Sequence, residues 1–433
     1  MLNLNPVTRR EWRLGWPSVC AGLFGAAASQ IQFATMGVFL KPIAQSTGWS
    51  NSTITFGIFI CAVISVPGSP FAGWLAQRYG LTRIILPGLP LFLLAFAGLG
   101  LFSHSQAQWI FGWSLLAVVG VLVKSNLWML WVAQKFDAAR GMAFALVMAG
   151  SGVLAIFVPI LTQLSVENFG WRATFPILAG VLGLIAITAC VLGLRACPPT
   201  PGTKQVSFDE GAAMPKGLSI QQAARMRAFW MIALIAFLIG VGLASMQVHL
   251  VPMFGEKGLD ARTAAVLAGL FGAAALAGRI VGGALLDRYS AKVIGMISLL
   301  LPALACVIYY LLPISPVAGG LIAILFGVGV GAEGDVLGYI TAKFFGVHSF
   351  GAIFGIVSGV FSLGAGAGPW FMALLLDKFG SYAVVVPILF VALLVCAGLF
   401  LALGDYPDFD GESSAARPHR PGHSGPLPVE QAG

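Results

Sequence analysis

The sequence predicts an all-α membrane protein, with twelve transmembrane helices arranged as two pseudo-symmetric six-helix bundles. Three observations predict it. Of 433 residues, 58% are hydrophobic and only 9% charged, whereas a soluble domain carries about 25% charged residues. With a mean hydropathy of +0.91, a soluble fold would have too little charged surface to stay in solution. The apolar residues gather into twelve runs, each close to the roughly 20 residues that cross a bilayer, and the second six runs repeat the first at a constant offset. Disordered, collagen-like and disulfide-framework chains are excluded, because the polar, repetitive or Cys-dense composition each requires is missing.

Taken in order, the runs fall at 16–40, 53–76, 83–102, 108–132, 141–165, 171–194, 228–253, 262–286, 292–313, 317–342, 351–376 and 382–404. Residues 1–15 are polar and basic and lead into a full-length span without a cleavage site. They read as a retained cytoplasmic N-terminus, not a signal peptide. Residues 16–194 form the N-terminal six-helix bundle. The stretch 195–227, rich in Pro, Gly and charge, reads as a central cytoplasmic loop, and 228–404 form the C-terminal bundle. The tail 405–433 has few apolar residues and reads as a disordered cytoplasmic tail.

Charge placement sets the expected orientation. With the N-terminus inside, only Lys41, Arg172, Lys257, Arg262 and Lys378 of the 24 Lys and Arg fall on the outer side, Lys124 and Arg279 fall within spans, and all the others are cytoplasmic. By the positive-inside rule this places both termini in the cytoplasm of a multi-pass plasma (inner) membrane protein. The basic residues lie in short breaks between spans, so the net charge of +8 does not indicate nucleic-acid binding. Six scattered cysteines form no C-x-x-C pair, and we expect neither a metal site nor a disulfide framework nor a cofactor.

Shifting the sequence by 210 superposes Val38 on Val248, Leu40 on Leu250, Pro42 on Pro252, Gly48 on Gly258, Thr53 on Thr263, Gly68 on Gly278, Gly73 on Gly283, Arg78 on Arg288 and Tyr79 on Tyr289. The same register gives Gly141/Gly351, Phe144/Phe354, Pro159/Pro369, Phe169/Phe379 and Gly170/Gly380. Six spans is an even number, so both halves enter the membrane from the same side. Parallel halves with a site between them are a secondary-transporter arrangement.

The loop GWLAQRYGLTR (73–83) and its repeat GALLDRYSAK (283–292) resemble the G-x-x-x-D-R-x-G-x-R/K signature of the major facilitator superfamily, over essentially residues 10–404. The resemblance implies the major facilitator fold, with Arg78, Asp287 and Arg288 pairing across a cytoplasmic gate and the glycines letting helices approach. The first copy has Gln77 where the acid should stand, and a plain positive-inside anchor is the alternative for these basic residues. KFDAARGMA (135–143), followed by AGSG (149–152), and FLKP (39–42) leading to GWS (48–50) resemble the monocarboxylate transporter-like branch, bacterial type. The Gly-rich signature before span 1 survives only as Gly15-Trp16. Span 5 lacks the Gly-Pro-x-x-Gly-Gly pattern of drug–proton antiporters.

Ionisable residues inside spans carry the most information, because each costs roughly 2.5–3.5 kcal/mol at a helix centre. They are Lys124 near mid-span 4, with Trp128 one turn on along the same face, Arg279 in the cytoplasmic half of span 8, Glu333 and Asp335 near mid-span 10, and His249 near the outer end of span 7. The branch resemblance assigns Arg279 to the substrate carboxylate, while the acid expected four residues earlier is Ala275. A structural pair of Arg279 with Glu333 or Asp335 is the alternative. Lys124 reads either as a second anchor or as a lysine snorkelling to the cytoplasmic face. Two residues apart, Glu333 and Asp335 project about 200° from each other, so at most one faces a cavity. His249 reads as a hydrogen-bonded wall residue or a proton carrier. The run Gly329-Val-Gly331-Ala-Glu-Gly334 matches G-x-G-x-x-G but lies inside a span with no preceding strand, which makes it a packing surface rather than a nucleotide loop.

The expected function is secondary active transport of small organic anions, monocarboxylates first, by proton symport or anion exchange with alternating access. The expected partners are the anion, protons and the lipid bilayer, and the chain is expected to be a monomer and not an enzyme. Substrate binding is expected of Arg279, Lys124, Trp128 and His249, and proton coupling of Glu333 and Asp335. Transport of neutral or cationic compounds, or ligand sensing without transport, are the alternatives.

Overall fold

Hydrophobic runs long enough to cross a bilayer become helices because every backbone N–H and C=O needs a partner within the segment itself. In the computed structural model, which describes residues 6–133, 135–136, 139–196, 217–286, 288–313, 315–346 and 348–407, the elements are α1 (Pro6–Ala28), α2 (Ile31–Thr47), α3 (Asn51–Tyr79), α4 (Leu81–Gly98), α5 (Gln106–Gly120), α6 (Ser125–Ala133), α7 (Arg140–Ala196), α8 (Ile220–Arg225), α9 (Arg227–Glu256), α10 (Ala261–Leu286), α11 (Ala291–Leu311), α12 (Pro316–Phe345), α13 (Phe350–Phe379) and α14 (Tyr382–Leu401). Among the described residues no strand forms, only one antiparallel bridge between Gly217 and Gly346.

Eleven of these stretches are long and apolar enough to span a membrane, and the difference from the expected twelve lies in one of them. The 52-residue stretch Met142–Gly193 is interrupted at Gly170, where φ 76° and ψ 161° leave the helical region. At 1.5 Å per residue the stretch would reach about 78 Å, more than twice the hydrocarbon thickness, so it crosses twice and turns at this glycine. A side chain at that positive φ would be strained, which is why the turn carries Gly. The protein is thus a multi-pass integral membrane protein.

We call the side on which α1 begins the near side and the other the far side. Four elements that start on the far side are capped by serine, at Ser50, Ser105, Ser315 and Ser381. Each hydroxyl accepts an orphan N–H where the helix leaves the hydrocarbon. At α10 Asp260 does the same, accepting from Thr263 N–H at 3.0 Å, and this bond holds its carboxyl below the usual carboxylate value. The repeat register is visible in the backbone: Gly48 and Gly258, and Gly170 and Gly380, all have positive φ.

Each half has its own core. One apolar cluster runs through residues 19–190 with Val248 as its single buried residue from the other half, and a second runs through residues 223–403. Packing inside the halves follows the repeat: α3 on α5 matches α10 on α12, α1 on α7 matches α9 on α13, and α4 on α7 matches α11 on α14. The halves meet through α3 with α13, α7 with α10 and α2 with α9. Part of the expected central linker is folded. Ser219 and Gln222 form a capping box on α8, Leu218 N–H donates to the Phe345 carbonyl at 2.9 Å, and Ala223 is fully buried. Residues 197–216 and the tail from 408 onward lie outside the described residues.

The two sides differ. Toward the far side Phe59 stacks on Trp370 with centroids 4.9 Å apart, and Ala62 lies against Gly366. Toward the near side nothing comes within 4 Å of a side-chain position at Gly73 on α3 or at Gly351, Gly355 and Gly359 on α13. The halves are thus joined on the far side, whereas these near-side glycines have no neighbour from the opposite half within 4 Å.

Candidate substrate-binding site

Span 4 is not one continuous helix, contrary to expectation. After α5, Val121–Val123 make a single 3-10 turn, and Lys124 adopts φ −57°, ψ 147° before α6 begins. Lys124 and Trp128 therefore do not share a helix face. The freed Val123 carbonyl accepts from Trp128 Nε1 at 2.9 Å. The Lys124 ammonium donates to the Ser65 carbonyl at 3.0 Å and to the hydroxyls of Ser65 and Ser69, all on α3. Its three N–H donors have three acceptors. Lys124 does not snorkel. It is half-buried, and Asn126 two residues on is exposed; an interrupted helix is tolerated in a membrane where its backbone is packed in protein or lines a cavity.

Opposite it, in the other half, Arg279 is half-buried on α10. Its Nη1 donates to the Met148 carbonyl on the first arm of α7 at 3.3 Å, and Nη2 lies beside Gly334 of α12. Asp335 is exposed and sits in the electrostatic field of Arg279, but no ion pair joins the two among the described residues. Lys124 and Arg279 each lie eighteen residues from the far-side start of their spans, and Asp335 lies nineteen. At 1.5 Å per residue this is one depth, about 27–29 Å along each helix. Two cations and one acid form a belt there.

Glu333 is turned away, 1% exposed, and accepts from Ser298 Oγ of α11 at 2.5 Å while its Oε2 has no partner. It makes no pair with Arg279. The 200° divergence of two residues two apart on a helix accounts for this split. Trp128 is fully buried, stacked on Trp131 and packed over Gly25, where a Cβ would run into the indole. His249 is fully buried, with Nδ1 2.7 Å from Tyr382 Oη and Nε2 2.9 Å from the Pro369 carbonyl. Neither presents a free atom to a ligand, so both are wall residues here. The glycine run of α12 packs closely, with Gly331 against the Ala275 carbonyl and Gly329 against Pro302.

The expected cytoplasmic gate is not assembled in this conformation. Arg78 and Arg288 are exposed, Arg78 lies over Trp74 and Tyr79 at 5.4 and 5.7 Å, and neither arginine forms an ion pair among the described residues. Asp287 lies outside the described residues. Gly73 and Gly283 face open space instead of an approaching helix. Sequence reading missed the serines that hold Lys124. One signal was there: the repeat places Ser69 at the position of Arg279 and Ser65 at that of Ala275.

Two half-cores related by a repeat, with a charged belt between them, suit a carrier, and the sequence comparison decides which kind. The Major Facilitator Superfamily matches residues 22–369. The chain belongs to that superfamily. Its similarity extends to human "Monocarboxylate transporter 11", 25% identical over 375 residues covering 83% of this chain and 75% of the relative. "Monocarboxylate transporter 2" of Mesocricetus auratus is 24% identical over 415 residues, 90% and 84% of the two chains. "Monocarboxylate transporter 12" of Rattus norvegicus is 25% identical over 383 residues, 81% and 76%. This superfamily chain is accordingly a membrane transporter of small molecules.

Proposed function

We propose that the protein carries small organic anions, monocarboxylates first, by alternating access with proton symport or anion exchange. The belt at one depth carries the reading. With Asp335 ionised, Lys124 and Arg279 leave one excess positive charge, which a single carboxylate neutralises. The Arg279 guanidinium makes one protein hydrogen bond and keeps further donors for a bidentate contact. The Lys124 ammonium, already saturated by Ser65 and Ser69, contributes its field. Asp335 takes the coupling role, since Glu333 is packed against α11. An anion on Arg279 cancels part of that cation's hold on Asp335, so proton and anion arrive together. The positive-inside count supports a cytoplasmic near side.

The test is uptake of labelled small carboxylates into proteoliposomes with and without an inward proton gradient. Carboxylate uptake that Arg279→Lys abolishes supports the reading. Uptake of neutral or cationic compounds with no carboxylate competition overturns it.

A further inference from the structure

The charged residues of the far face play no part in the belt, yet they join the halves twice. Glu167, at the far end of the first arm of α7, accepts from Arg262 of α10 at 2.7 Å (Nη2) and 2.8 Å (Nε). Asp377, at the far end of α13, accepts from the backbone N–H of Asn51 at 3.0 Å, from Asn51 Nδ2 at 2.8 Å and from Ser52 N–H at 2.8 Å, at the start of α3. The offset of 210 carries Glu167 onto Asp377 and Ser52 onto Arg262. One contact is therefore made twice, once in each direction across the molecule.

The chemistry of the two contacts differs for a local reason. At α3 the cap is the neutral Ser50, which serves Thr53 N–H. The first two N–H groups and the positive end of the helix remain for a carboxylate. At α10 the cap is already an acid, Asp260, which neutralises the helix end and would repel a second carboxylate. The side chain of Arg262 supplies the cation instead. Each helix start has just one acid from the opposite half, matched to what its own cap leaves open.

We infer that Glu167–Arg262 and Asp377–Asn51/Ser52 are a paired latch that holds the far face closed and must release for the far side to open. Each latch sits at the end of an inter-half helix pair, α7 with α10 and α3 with α13, where a small rotation of one half separates the partners most. Besides its partner in the opposite half, Glu167 accepts, among the described residues, only from Gln163 one turn along its own helix, at 3.0 Å, and neither latch touches Arg279, Lys124 or Asp335, so the latch opens without disturbing them. It works whatever substrate is carried, and its test needs none.

The experiment places spin labels on Gln106→Cys and Val317→Cys, which are exposed starts of α5 and α12 in opposite halves, in the full-length chain with its six native cysteines replaced. Distances are read by pulsed electron resonance in nanodiscs. With the latches intact one distance population dominates. Glu167→Gln together with Asp377→Ala should raise the longer, far-side-open population by roughly tenfold, with each single variant in between. Arg262→Glu should act like Glu167→Gln, and adding Glu167→Arg should restore the original distribution, a rescue that a merely stabilising contact elsewhere would not give. An unchanged distribution in the folded double variant overturns the latch. Should the double variant not fold, failure of the Glu167→Arg, Arg262→Glu exchange to reverse Arg262→Glu overturns it equally.

Discussion

The same helix contact is made in each half, and its chemistry is inverted. In the N-terminal half the cation stands on span 4, at Lys124, and its partners Ser65 and Ser69 stand on span 2. In the C-terminal half the cation stands on the span equivalent to span 2, at Arg279 in the place of Ser69, and the acid Asp335 stands beside Gly334, the place of Lys124. Backbone packing obeys the repeat, because helix pairing depends on small residues and apolar faces that both halves share. The polar groups of the belt break it. The lysine is saturated by its own half, whereas the arginine reaches across to Met148 and keeps donors to spare. In the proposed reading one half supplies a fixed field and the other supplies the grip and the proton.

That comparison can be broken at its strongest point first. Arg279→Lys keeps the charge and loses the fork, a loss of about 1.5–3 kcal/mol for charge-assisted hydrogen bonds. Anion affinity in binding assays should fall roughly ten- to hundredfold, and near-normal affinity would remove the grip from the C-terminal half. Asp335→Asn should abolish accumulation driven by an inward proton gradient while anion–anion exchange in preloaded proteoliposomes persists. Accumulation that survives would leave exchange as the mode.

A smaller effect is expected of Lys124→Gln. A saturated ammonium acts through its field alone, so carboxylate affinity should weaken by about three- to tenfold, and by less as salt is raised in the assay. An effect as large as that of Arg279→Lys would mean that Lys124 leaves its serines and grips the anion. The smallest change is expected of Glu333→Gln, which should shift thermal stability by about 1 kcal/mol or less and leave the pH dependence of uptake as it was. Altered coupling in that variant would return the proton role to Glu333.

Several features were legible in the sequence and are matched by the structure. The membrane class, the helical spans and the packing of halves in one register follow from hydropathy and from Gly48, Gly170, Gly258 and Gly380 at repeated turns, and the superfamily, which the sequence comparison bears out, from the loop motifs at 73–83 and 283–292. These are local or periodic properties: a run of apolar residues must be helical in lipid, and a positive φ needs glycine wherever it occurs. The candidate site was legible as residue types, since Lys124, Arg279 and Asp335 are too expensive in a span to be incidental.

Only the tertiary structure decided what each of those residues does to its neighbours. It broke span 4 at Lys124, turned Glu333 into the packing with Ser298, closed His249 between Tyr382 and Pro369, and showed Glu167 and Asp377 crossing between the halves. The partners in these contacts lie 35 to 326 residues apart in sequence. Hydropathy and spacing describe a helix by itself. Which of its faces meets water, a neighbouring helix or the opposite half depends on how all the helices pack together, and this packing alone brings such distant partners within hydrogen-bonding distance.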